Sequence, residues 1–145
     1  MSNKKRLAAA ISIIMVVAFA FTMTGCGGGG GASGVVNAFF DSIDKHDVKK
    51  FLNCFEEDIY EDILPYIGED YLKDTLEMMD EMFSDEFGKN WRKQVKVGKA
   101  EEIDKDGSIT YYEVEVTLDG ETEYIQVVKI KGKYYIDDGA MGGIF

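Results

Sequence analysis

Residues 102–113 hold the closest approach to a metal-binding pattern in this chain. Oxygen-bearing side chains stand at Glu102, Asp104, Asp106 and Thr110, glycine at Gly107, an aliphatic residue at Ile109 and a glutamate at Glu113. That is the spacing of a twelve-residue calcium loop, in which glycine makes the sharp turn and the last glutamate grips the ion with both oxygens. Two features argue for a different reading. The first position is Glu102 where such loops take aspartate, and the flanks at 95–99 and 114–118 alternate like strands where the loop needs helices. Asp104, Lys105, Asp106 and Gly107 are therefore expected to form a hairpin turn, with Glu113 on a strand beyond its reach and no metal held.

Nucleophilic chemistry has one thiol to draw on within the domain, Cys54, and one histidine, His46. They lie eight residues apart across an expected break at Asp47. Cys54, between Phe51, Leu52 and Phe55, reads as a small buried hydrophobe, and His46 as an exposed residue of the turn. Among the aromatic residues, Trp91, Tyr112, Tyr124 and Tyr134 are the candidates to line a pocket, and core packing is the ordinary role of such side chains on strands. The acidic runs at 56–58 and 80–81 read as solvated helix faces. Met78, Met79 and Met82 fit core packing at helical spacing. No arrangement of these groups demands a cofactor.

Cys26 has a different chemistry. Lys4, Lys5 and Arg6 precede an uncharged run at 7–23 that includes Ile11, Ile13, Ile14, Val16, Val17, Phe19 and Phe21, which is the form of a signal peptide. The run ends in Met23, Thr24, Gly25 and Cys26, and this stretch resembles the lipobox of bacterial lipoproteins. The resemblance implies cleavage after Gly25 and a lipid on Cys26, and two acyl chains give lasting attachment at about 0.8 kcal/mol per buried methylene. Residues 1–25 are thus expected to be a signal peptide and 26–34, rich in glycine, to be a lipidated cysteine with a flexible tether. The expected address is the outer, extracellular face of a bacterial cytoplasmic membrane.

The remaining residues, 35–145, suit one domain with one modest core. From Cys26 onward there are 13 basic and 27 acidic residues, a formal charge of −14, which argues against nucleic acid or anionic lipid as a partner. Val35, Val36, Phe39, Phe40 and Ile43 mark a first helix ending near His46. Asp47 is placed to cap a second, carrying Val48, Phe51, Leu52 and Phe55. A short piece at 59–64 is closed by Pro65 and Gly68. Leu72, Leu76, Met79, Phe83 and Phe87 then make a long amphipathic helix stopped by Gly88. From Trp91 onward the pattern alternates. Val95 and Val97 begin one strand. Tyr112, Val114, Val116 and Leu118 share a face of the next, with Tyr111, Glu113, Glu115 and Thr117 facing water. Asp119 and Gly120 signal a hairpin into 122–130, and Gly132 turns that strand into 133–137. Residues 139–145 read as a loose tail. The expected fold is α+β, with N-terminal helices packed on a curved antiparallel meander.

The helix, the break at Lys45, His46, Asp47 and Val48, the second helix ending at Phe55, Glu56, Glu57 and Asp58, and the closing run from Val127 through Gly132 to Asp137 look like the nuclear transport factor 2-like superfamily. More narrowly, they are similar to bacterial lipoproteins carrying such a domain. The resemblance implies a cone-shaped sheet wrapped over helices, often open at its wide end, and it includes isomerases and dehydratases that use a carboxylate, tyrosine or histidine in the cone. With no such constellation legible, the expected function is a non-enzymatic, surface-tethered module that binds a small molecule, a peptide or an envelope protein. The alternatives are a pocket enzyme and a domain that forms a homodimer through its sheet.

Overall fold

The computed structural model describes residues 22–23, 30–62 and 64–137. Two β-strand residues, Thr22–Met23 (β1), come first, followed by five helices: α1 (Gly31–Lys45), α2 (Val48–Leu52), α3 (Glu57–Glu61), α4 (Leu64–Phe87) and α5 (Trp91–Gln94). Four strands close the chain: β2 (Lys96–Asp106), β3 (Ile109–Leu118), β4 (Glu121–Ile130) and β5 (Lys133–Ile136). The sheet is antiparallel throughout in the order β1-β2-β3-β4-β5. The fold is α+β, helices first and meander second.

The helix α1 starts at Gly31, four residues before the first residue of its apolar stripe in the sequence. Residues 31–34, expected to end a tether, belong to it instead. Ala32 is buried, and the Ser33 hydroxyl donates to the Gly98 carbonyl at 2.9 Å. A glycine-rich start is a weak helix former, so it is this docking onto β2 that holds the first turn. At the other end His46 takes a left-handed conformation (φ 51°), and the Asp47 amide donates back to the Ser42 carbonyl at 2.9 Å. The Asp47 carboxylate then accepts from the Lys50 amide at 3.0 Å, capping α2 as expected.

Pro65 does not end a helical piece. It lies in the opening turn of α4, where its missing N–H costs nothing, and the break comes at Gly68, with φ 72° and ψ 161°. Trp91–Gln94 is a short helix rather than the start of alternation, and Val95 closes it. The loose tail expected at 139–145 and the residues at 1–21 and 24–29, Cys26 among them, lie outside the described residues.

Three two-residue turns join the meander. Leu118 pairs with Glu121 and Ile130 with Lys133, and the residues between them, Asp119-Gly120 and Lys131-Gly132, all have positive φ, as the twist of a tight hairpin requires. Register shifts between Val97 and Ala100 and between Glu102 and Asp104 bulge β2 and bend the sheet. The long helix α1 lies across the inner face and touches β2, β3, β4 and β5, and α4 packs on α1. One core results, with Val36, Ile43, Val114, Val116, Leu118, Ile125, Val127 and Ile136 all at or below 1% exposure. The apolar sheet face of Val114 and Val116 is thus covered within one chain.

Candidate functional site

Of the four aromatic candidates, the fold brings two together. Tyr112 pairs with Val127, and Tyr134 with Lys129, so both project from the inner face. Their ring centroids stand 5.7 Å apart, and the Lys129 ammonium lies 5.2 Å from the Tyr134 centroid. Burial, then the neighbouring Tyr134 and Glu102, pushes the Tyr112 hydroxyl up from its ordinary range. Tyr124 pairs with Glu115, one register step out of phase, and projects from the opposite face. Trp91 is elsewhere again. It is fully buried between α1 and α4, stacked on Phe83 with centroids 4.5 Å apart and edge-on to Phe40 at 6.5 Å. The expected quartet is therefore a pair, a core residue and an outer-face residue.

His46 is not a bare turn residue. Its Nε2 lies 2.8 Å from the Asp80 carboxylate, whose other oxygen accepts from the Trp91 indole N–H at 2.7 Å. The carboxylate of one residue on α4 thus ties together the end of α1 and the start of α5. Arg92 adds a second tie, donating to Asp41 at 2.8 Å and to the Asn37 side chain at 3.2 Å. Asp80, expected from the sequence to belong to a solvated helix face, takes this role because His46 and Trp91 reach it from other elements of the chain.

Cys54 is buried, its thiol directed at the Lys50 carbonyl at 3.3 Å. Burial raises its pKa to about 12, against a smaller opposing effect of Lys50. It is a thiol, inert as a nucleophile, and it belongs to the core alongside Phe51 and Phe55 rather than to the His46 cluster.

The 102–113 segment is a hairpin, tighter than the sequence suggested. Asp104, Lys105 and Asp106 are all in β2, Asp106 pairs with Ile109, and Gly107 and Ser108 alone make the turn, with Gly107 at φ 59°. Glu102 pairs with Tyr112 and Glu113 with Glu101, so the first and twelfth positions of the would-be loop face opposite sides of the sheet. They cannot close on one ion.

Glu113 departs from its expected place in water. It is 2% exposed, and neither carboxyl oxygen has a hydrogen-bond partner among the described residues. Across the ladder stand Glu101 on one side and Gln126 on the other. Burial, and secondly the charge of Glu101, raises its pKa. A carboxyl so placed takes up a proton more readily than an exposed one.

The methionines divide. Met79 packs against the core, whereas Met78 and Met82 are each 56% exposed, contrary to the expectation of core packing for all three.

These groups lie in separate parts of the domain: the Tyr112 and Tyr134 pair on the sheet, the Asp80 clasp among the helices, Cys54 in the core and Glu113 on the outer face. Comparison with known protein families, with characterised proteins and with solved structures returns no match to this chain.

Proposed function

We propose that this chain is a membrane-tethered, non-enzymatic binding domain, held by lipid on Cys26 at the outer face of a bacterial cytoplasmic membrane, with a fold of the nuclear transport factor 2-like kind. The observation that supports a binding role most directly is the dispersal of the reactive groups. The histidine is tied to a structural carboxylate, the thiol is inert in the core, and Phe39, Phe40, Phe51, Phe55 and Trp91 all pack in that core. The Ser84 hydroxyl stands 3.5 Å from the Asp80 carboxylate, longer than the reach of about 2.6–3.2 Å that general acid and base work needs.

The tether is short in this reading. Four residues, 27–30, separate Cys26 from the start of α1. The domain would sit close to the membrane surface, its charge of −14 opposed to anionic headgroups. Cleavage before Cys26 would also remove Thr22–Met23, which pair with Glu101 and Ala100. The β2 edge would then be open in the mature protein.

The test is incorporation of an alkyne-tagged fatty acid by the full chain and its Cys26→Ala variant, followed by membrane fractionation. The expected outcome is label and membrane retention for the parent and neither for the variant. Label and retention that survive in Cys26→Ala would overturn the anchor.

A further inference from the structure

The long helix α4 has two apolar stripes. One, with Leu72 and Leu76 buried and Met79, Phe83 and Phe87 packed beside them, faces the core. The other faces outward. Tyr71, Met78 and Met82 recur at seven and four residues, so they share a face, and each is 56% exposed. Alongside them run Asp70, Asp74, Glu77, Glu81 and Asp85, spaced at four, three, four and four, and these too share one face. None of the five makes an ion pair among the described residues, and Lys73 is the single base on the helix.

We propose that this face of α4 docks a basic amphipathic helix of a protein partner, an inference that deepens the binding-module reading by naming the surface and the partner's chemistry. Tyr71 to Met82 spans eleven residues, about 16 Å, which matches three turns of an opposing helix. Such a helix lays its apolar side on the stripe at intervals of three and four residues. Unbranched methionines adapt to whatever side chains they meet. The ridge of five carboxylates lies along one edge of the stripe and fixes the orientation of a partner bearing lysine or arginine there. Charge decides between occupants. A second copy of this chain would bring an identical acidic ridge, and an anionic lipid surface would bring more negative charge, and both are repelled.

The probe is an 18-residue helical peptide of leucine and lysine in a heptad pattern, with a scrambled peptide of the same composition as control. The protein is the full chain in phosphatidylcholine nanodiscs with labelled methionine methyl groups. The heptad peptide is expected to shift the Met78 and Met82 methyl signals and to leave Met79 in place. Met78→Gln with Met82→Gln, both exposed positions that leave the core intact, is expected to weaken binding at least tenfold, and Asp74→Lys with Glu81→Lys by a similar factor.

Equal binding of the scrambled peptide, or shifts confined to other methyl groups, would overturn the proposal. So would concentration-dependent shifts without peptide that vanish in the methionine variant, which would assign the face to a second copy. Shifts produced by phosphatidylglycerol vesicles in place of the peptide would assign it to lipid and overturn it equally. Fatty-acid labelling at Cys26 is scored on the same variants and does not depend on Met78 or Met82, so failure of the docking face is separable from failure of the anchor.

Discussion

The indole N–H of Trp91 donates to the carboxylate of Asp80 at 2.7 Å, and the other oxygen of that carboxylate holds His46. Trp91 is fully buried, so its N–H depends on that acceptor. A buried donor left unsatisfied costs about 1–3 kcal/mol. Asp80→Ala is therefore expected to lower stability by about 2–3 kcal/mol, with loss of the His46 contact included. Asp80→Asn keeps one acceptor oxygen and is expected to lose less than half of that. Urea unfolding followed by tryptophan fluorescence reads both. An Asp80→Ala midpoint equal to that of the parent would show that the clasp holds nothing.

Glu113 supplies a pH dependence of defined sign. Its pKa is raised in the folded chain above the ordinary 4.5. The stability linked to its proton is fully present below that ordinary value and is lost as pH rises through the shifted one. At neutral pH the folded state bears the cost of a buried, unpaired carboxylate. Glu113→Gln removes the charge and puts an amide opposite Gln126. The variant is expected to be more stable than the parent by about 1 kcal/mol at pH 7, with the gain disappearing below pH 4.5. Thermal melts across pH 4–8 decide it. A variant less stable than the parent at pH 7 would mean that the carboxylate has a cationic partner.

Burial pushes the Cys54 thiol up to about 12, so it stays protonated at pH 8. Its burial blocks reagent as well. Ellman's reagent at pH 8 is expected to leave Cys54 unmodified in the folded chain and to react fully in 6 M guanidinium, with Cys26→Ala as the background. Prompt modification of the native variant would contradict the buried placement.

Gly107 discriminates hairpin from calcium loop. At φ 59° it occupies the left-handed region, and Gly107→Val adds a β-branched side chain there at a cost of about 1–2 kcal/mol. Because Glu102 and Glu113 face opposite sides of the sheet, millimolar calcium is expected to leave the melting temperature of parent and variant unchanged, as is chelation by EDTA. A calcium-dependent rise in the parent that Gly107→Val removes would restore the loop reading.

Much of this fold is determined locally. The apolar spacing of Val36, Phe39, Phe40 and Ile43 makes α1, the Asp47 side chain caps α2, and the Asp119-Gly120 and Lys131-Gly132 pairs set hairpin register, because each depends on neighbours within a few residues. The alternation of β3 likewise sorts Tyr112 from Tyr111 and Val114 from Glu113. What the sequence could not determine is what meets each face. The same methionine type at adjacent positions is core at Met79 and surface at Met78, since only the packing of α4 against α1 decides which side of the helix is covered. Tyr124 and Tyr134 both sit on strands with pocket-forming potential, but the register of β4 and β5 sends them to opposite sides. Glu113 alternates like a solvated residue and is buried, and Asp80 gains its role from His46 and Trp91, 34 and 11 residues away. Periodicity specifies the direction of a side chain relative to its own element, and only the tertiary arrangement supplies the surroundings that give that direction a chemical meaning.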